Sequence, residues 1–311
     1  MNTILEKIQK PLVHNVNVEK QLRAFPVYMF NQCVPSHAPK SKDGPEWVGL
    51  YTKHVQPGLE INITHEGRAI YAVGKDLIAH MPRHLIMLNG DVPHQIFADS
   101  SLNYTRTVIC FEHHFLKQIP FVSDLDWFAG KTHISMPLDP DTYIRMNQLI
   151  HRILEEFSEL KTGWKQMVLS LLSEFMVYLE RGLEAYQQNQ QVLKRSKGHQ
   201  LVEECCHYVR ENLHEPISLS KMSELFYVSP EHLTRLFSKV KGMSFYQYVQ
   251  MQRIMESVKI MESRPDLSIT DVALSVGYVD SSHFIRVFKK IMGQTPSEYR
   301  KNVLRTKAAG Q

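Results

Sequence analysis

The last third of the chain carries one pattern twice. Ser218 opens SLSKMSELFYVSPEHLTRLFSKVKG and Ser268 opens SITDVALSVGYVDSSHFIRVFKKIMG; the offset is 50 at the start and 51 by Gly242 and Gly293, so one residue was gained in the turn. Leu219, Met222, Leu225, Val228, Leu233, Leu236 and Phe237 answer Ile269, Val272, Ser275, Tyr278, Phe284, Val287 and Phe288, and only Ser275 breaks the apolar match. Within each predicted helix these residues recur at steps of three and four, which puts them on one stripe facing a core. Ser218, Ser229 and Ser268 stand where N-caps belong, and Asp280, Ser281 and Ser282 crowd the start of the final helix of the second copy. Both copies therefore predict helix, tight turn, helix. Gly277 follows Ala273 by four residues, the small residue and the bend that such a turn needs. The first copy has Ser223 and Tyr227 in those places, which predicts a turn that avoids a positive φ.

Between the copies, Ser244 is placed to cap the segment FYQYVQMQRIMESVKIMES, whose stripe runs through Tyr248, Val249, Ile254, Val258 and Met261 and ends before Arg264 and Pro265. A helix of its 19 residues spans roughly 28 Å, against about 34 Å between successive major-groove faces of a duplex. One rigid helix of that length holds two heads on one side of DNA.

The region from about His199 to Arg300 resembles the DNA-binding domain of the AraC/XylS family of transcription regulators. The match is densest in GYVDSSHFIRVFKKIMGQTPSEYR, Gly277 to Arg300, including Phe284, Arg286, Phe288, Lys289, Lys290, Gly293, Thr295, Pro296, Tyr299 and Arg300. Charge agrees: from Arg195 onward 17 Lys and Arg face 12 Asp and Glu, a balance of +5, while the rest of the chain is at −1. A basic excess in that part suits a nucleic-acid partner.

The four cysteines, Cys33, Cys110, Cys205 and Cys206, form no Cys-x-x-Cys pair and read as reduced thiols of a cytoplasmic protein. The start MNTILEKIQK has no apolar stretch behind it and no run of eighteen apolar residues occurs, so neither a signal peptide nor a membrane span is expected.

The 311 residues are long for one domain and sufficient for two. Up to Pro137 the chain reads as mainly β. In LEINITH, Leu59, Ile61 and Ile63 alternate with Glu60, Asn62 and Thr64 at the period of a strand, and further strands are expected at Ala69 to Val73, His84 to Leu88, Gln95 to Ala98 and Tyr104 to Phe111, with a hairpin turn at Val73 to Asp76. From Asp139 to Gln191 the period becomes helical. Tyr143, Met146, Leu149, Ile150, Ile153, Leu154 and Phe157 form one stripe, and Trp164, Val168, Leu171, Leu172, Phe175, Tyr178, Leu179 and Leu183 a second, after the break Lys161-Thr162-Gly163. Two antiparallel helices follow. Polar residues from Tyr186 to Gln200 read as a linker.

The expected fold is α+β: an N-terminal cupin-like β jelly roll with two packing helices, then a C-terminal all-α domain with two helix-turn-helix motifs. The expected boundaries are 1–190 for the sensing and dimerisation domain (helical pair about 139–186), 191–199 for the linker, and 200–302 for the DNA-binding domain, with its units at 218–242 and 268–293. The jelly roll and the dimer contact are what the resemblance implies. It also implies that Glu231, Thr234, Arg235, Ser281, Ser282, Ile285 and Arg286 lie nearest base edges. Arg235 and Arg286 hold equivalent places in the two copies, where a guanidinium fork meets guanine or clamps a phosphate. Lys239, Lys241, Lys289, Lys290 and Arg300 are suited to phosphate contacts.

If the β region is a sensor, Glu60, Asn62, Thr64, Tyr71 and His94 are the candidate effector-binding groups; the alternative is that Glu60, Asn62 and Thr64 face water. A metal-binding cupin would show a His-x-His pair with a Glu close behind, whereas His54 and His65 stand apart, so neither a metal nor another cofactor is expected. A cupin-type metal-dependent enzyme fused to a DNA reader would need His54, His94 and an acid to converge on one ion. The expected function is a non-enzymatic, homodimeric transcription regulator of promoter DNA, an activator working with RNA polymerase and answering to a small polar effector such as a sugar. The alternative is a regulator controlled by abundance or by a protein partner.

Overall fold

The computed structural model describes residues 27–36, 47–50, 53–55, 58–90, 92–112, 115, 128, 130–194 and 197–309. By internal contacts the chain divides into two compact units, one of Met1–Ala38, Thr52–Gln95 and Leu102–Val192, the other of Pro39–Tyr51, Ile96–Ser101 and Leu193–Gln311. A β-sheet region occupies the N-terminal part and helices the C-terminal part.

Five antiparallel strands form one sheet in the order β1 (Val27–Val34), β8 (Tyr104–Phe111), β3 (Leu59–Glu66), β6 (His84–Asn89), β9 (His133–Pro137). A four-stranded sheet runs β2 (Trp47–Gly49), β7 (His94–Asp99), β4 (Ala69–Val73), β5 (Asp76–His80). The strands expected from alternation are present, and Gly74 has the positive φ of the expected β4–β5 turn. Strands β1, β2, β5 and β9 were not anticipated. β3 lies between β8 and β6, with Glu60 opposite both Cys110 and Leu88.

Both faces of β3 are buried. Leu59, Ile61 and Ile63 join Leu85, Met87, Ile109 and Phe111 in a core with the helical hairpin α1 (Pro140–Glu159) and α2 (Trp164–Lys194), which contributes Met146, Ile150, Ile153, Leu172, Phe175 and Leu179. Asp139 caps α1 by accepting from Asp141 and Thr142 N–H. The helices run antiparallel, because Arg145 meets Tyr178 while Phe157 meets Trp164 near the turn. The apolar stripe is thus spent on the sheet. Leu160, C-cap of α1, and Tyr227 have φ of 49° and 55°.

The C-terminal helices are α3 (Lys197–Glu211), α4 (Leu219–Leu225), α5 (Pro230–Lys241), α6 (Phe245–Ser263), α7 (Ile269–Ser275), α8 (Ser281–Met292) and α9 (Pro296–Ala309). Ser218, Ser229, Ser268 and Asp280 cap α4, α5, α7 and α8 with their side chains. Ser244 and Gln247 close a capping box on α6. Leu233, Phe237, Phe284 and Phe288 are fully buried, each worth about 1.5–3 kcal/mol over exposure.

Two expectations are corrected here. Tyr227 does adopt a positive φ, like Gly277 at the equivalent turn; the turn geometry overrides the preference of a side chain, so the residue type did not reveal it. Leu225, placed on the core stripe, is exposed, as is Ser275 in the second copy. The Leu225/Ser275 position thus faces solvent in both copies. Within the stretch expected as a linker, α2 runs to Lys194 and α3 starts at Lys197; Arg195 and Ser196 lie outside the described residues.

The two heads are joined by more than α6. Arg253 on α6 donates from Nε to the Leu213 carbonyl at 3.1 Å and from Nη2 to that of Glu215 at 2.7 Å, while its guanidinium lies 5.6 Å from the Tyr278 ring centroid. The loop before the first head is thereby tied to the turn of the second. At the two ends of α6, Phe245 and Tyr248 pack edgewise on Phe237, and Glu262 accepts from the Tyr299 hydroxyl at 2.8 Å.

Candidate nucleic-acid interface

Helices α5 and α8 each turn one apolar stripe inward, which leaves the complementary face to solvent. On α5, Glu231, Thr234, Arg235 and Lys239 are exposed around the buried pair Leu233 and Phe237. On α8, Ser282, Ile285, Arg286, Lys289 and Lys290 are exposed and Ser281 is half-buried, around Phe284, Val287 and Phe288. Arg235 and Arg286 thus occupy matching outward places on matching helices. The Thr234 hydroxyl donates to the Pro230 carbonyl at 2.8 Å, which leaves its methyl group and oxygen lone pair for a partner. Asp280 caps α8 through Ser282 and His283 N–H, bonds that hold its carboxyl below the usual range.

Two residues expected at phosphates are differently placed. Lys241 is mostly covered and pairs with Glu203 on α3 at 2.7 Å. Arg300 is half-buried, and its Nε and Nη2 are buried without a hydrogen-bond partner.

In the β region the five candidate effector groups, Glu60, Asn62, Thr64, Tyr71 and His94, are all buried, which removes the water-facing alternative for Glu60, Asn62 and Thr64. They belong to a polar cluster between strands of both sheets. Asn62 Nδ2 donates to Glu60 Oε1 at 2.7 Å and accepts at Oδ1 from Arg106 Nη1 at 2.7 Å. The same Arg106 nitrogen reaches the Tyr71 hydroxyl at 3.3 Å, and Arg106 Nε donates to Gln32 Oε1 at 2.8 Å. Tyr71 and Tyr104 hydroxyls lie 3.1 Å apart, and Thr64 Oγ1 is 3.4 Å from His80 Nδ1. Sequence reasoning missed Arg106, His80 and Tyr104. Their inward direction depends on the pairing of β8 and β5, which a single strand pattern does not reveal.

His54, read as isolated, is brought against His94. His54 and His94 exchange backbone hydrogen bonds of 3.0 Å in both directions, their ring centroids are 4.4 Å apart, and His94 Nε2 faces Glu60 Oε2 at 3.3 Å. Burial alone would push the Glu60 carboxyl up; His94, and after it Arg106 and His54, hold it down at about 2. Burial alone would lower His94, and Glu60 raises it above its ordinary value.

Among the described residues, no helix is long and apolar enough to cross a membrane. Residues 222–302 match a family model described as a helix-turn-helix domain. An uncharacterised HTH-type transcriptional regulator of Staphylococcus aureus is 33% identical over 159 residues, which cover 51% of this chain and 19% of that protein. The HTH-type regulator YpdC of Escherichia coli is 34% identical over 103 residues, 33% of this chain and 36% of that one. The match thus spans well under half the length of these relatives. The C-terminal domain of AraT, a response regulator from Geobacillus stearothermophilus, is 28% identical over 34% of this chain and 88% of that chain, with a TM-score of 0.33. The C-terminal part of the chain, residues 222–302, thus carries a helix-turn-helix domain similar to those of HTH-type transcriptional regulators.

Proposed function

We propose that the chain is a sequence-specific regulator that reads two adjacent major-groove segments of promoter DNA with α5 and α8. The observation that carries this is the pair of solvent-facing arginines, Arg235 and Arg286, at equivalent positions of two capped helices tied together by α6 and Arg253. Glu231, Thr234, Ser281, Ser282 and Ile285 flank them as base-reading groups, with Ile285 suited to a thymine methyl. Lys239, Lys289 and Lys290 are placed for phosphates; Lys241 must exchange Glu203, and Arg300 must leave its half-buried place, to do the same. The span of α6, roughly 28 Å for its 19 residues, falls short of the groove repeat, so the duplex bends toward the protein on binding.

A second part of the reading concerns control. The buried polar cluster around Glu60, Asn62, Thr64, Tyr71, His94 and Arg106 gathers convergent polar groups of the kind that fix a bound small molecule, and it supports a cupin-like jelly roll that senses a small polar effector. In this reading residues 1–190 sense and dimerise and residues 200–302 bind DNA. The dimer uses the outer face of the hairpin, where Ile144, Met167 and Val177 are exposed, and the regulator activates by recruiting RNA polymerase. A nuclease footprint on genomic fragments selected by the protein, with and without candidate effectors, tests both parts. No protected site rejects the DNA reading; protection that no effector changes rejects the sensing.

A further inference from the structure

The polar cluster contains one corner that hydrogen bonding leaves incomplete. Glu60 Oε2 and His94 Nε2 are both buried, and neither makes a hydrogen bond, although they face each other at 3.3 Å. A plain imidazolium–carboxylate pair would aim its N–H at the oxygen, and a buried pair gains little unless its geometry is good. His54 completes the corner: one donor atom from each of His54, Glu60 and His94 lies within 4.8 Å of the others.

We propose that His54, Glu60 and His94 bind one first-row divalent cation of the zinc(II) or iron(II) class. Two imidazole nitrogens and a carboxylate oxygen are the donor set such ions take, with positions left open for a further ligand. Donors about 2.1 Å from an ion lie at most about 4.2 Å apart, so closure of the trio needs only small side-chain adjustments.

The surroundings are those of ligating groups. His94 Nδ1–H donates to the Val92 carbonyl at 3.1 Å, which in the neutral ring leaves the lone pair on Nε2, the atom in the corner. Glu60 is anchored by its other oxygen, Oε1, to Asn62, which is oriented in turn by Arg106. The reciprocal backbone bonds between His54 and His94 fix the two imidazoles side by side although forty residues separate them. Histidine held by a backbone carbonyl and carboxylate held by an amide are the outer supports that metal ligands carry.

The assignment names what the proposed sensing cluster holds, and it stands or falls without DNA. Untagged full-length protein, stripped by chelator dialysis, is titrated with cobalt(II) and followed by its visible absorption bands. One equivalent is expected per chain, displaced by zinc(II). His54→Ala and Glu60→Gln are expected to weaken binding at least tenfold, Asn62→Ala by 10- to 100-fold, and His65→Ala not at all. Absence of a stoichiometric band, or a band that His54→Ala and Glu60→Gln leave unchanged, overturns the proposal. Should those variants misfold, X-ray absorption of the zinc-loaded wild type decides: two imidazoles with oxygen donors support the site, and sulfur or any other imidazole number rejects it. A cation bound without effect on the footprint leaves the site standing and removes only its regulatory use; a footprint altered by an effector in metal-free protein does the reverse.

Discussion

Replacing Gly277 by alanine tests how the two heads are held. The residue has φ of +84°, where a side chain is strained, and an added Cβ would sit 2.3 Å from the Leu213 carbonyl oxygen and 2.7 Å from Arg253 Nη2. The backbone strain costs about 1–2 kcal/mol. Relief of the clash has to move the loop at Leu213 or break the bonds of Arg253 to Leu213 and Glu215; a hydrogen bond from a charged donor is worth about 1.5–3 kcal/mol. The total is about 3–4 kcal/mol, a large part of the stability of a domain. Gly293 supplies the control, for its φ of +73° is similar and an added Cβ meets nothing within 4 Å. Gly293→Ala therefore carries the strain alone. Urea unfolding of both full-length variants by circular dichroism should place Gly277→Ala about 2 kcal/mol below Gly293→Ala. Equal midpoints for the two would falsify the claim that the second turn abuts the first head's loop.

The first head should improve where the second is already well made. Ser223 is buried with its hydroxyl unpartnered, so Ser223→Ala is expected to gain about 1 kcal/mol, and Tyr227→Gly, at φ 55°, a fraction of that; unchanged or lower unfolding midpoints contradict this. Arg235→Ala and Arg286→Ala should each lose about 1–3 kcal/mol of discrimination at one base position, measured by competition binding to operator variants, while Lys289→Ala lowers affinity uniformly and reduces the salt slope by about 1. His65 is held down to about 4 by burial and then by nearby His151. It stays neutral in the fold while the unfolded chain takes up its proton below the ordinary value of 6.5, so stability falls as pH drops from 6.5 toward 4, by roughly 1.4 kcal/mol per pH unit at most. Urea titrations at pH 7.5 and 5 should show a smaller difference in His65→Gln than in wild type, and an equal difference rejects the role of this residue.

The helical third was legible because its signals are local. Caps such as Ser218, Ser229 and Asp280, together with a stripe of period 3.6, fix which side of α5 and α8 is inward, and the outward side follows without knowledge of the partner. Tyr227 was not legible, since its conformation is imposed by the chain on either side of it. In β3 the alternation of Leu59, Ile61 and Ile63 with Glu60, Asn62 and Thr64 announced two faces but not that both are covered. Which face meets helices and which meets polar side chains depends on strands far away in sequence. The same holds for His54 and His94, joined by a single isolated bridge.

Strand β3 has a mechanical corollary. Its odd-numbered residues lie against the helical hairpin and its even-numbered ones against the polar cluster. Backbone geometry ties the two sets, so neither can be displaced by itself. Whatever tightens around Glu60 and Asn62 must tug Ile61 and Ile63 against α1 and α2, and an event sealed inside the β region is felt on its outer wall.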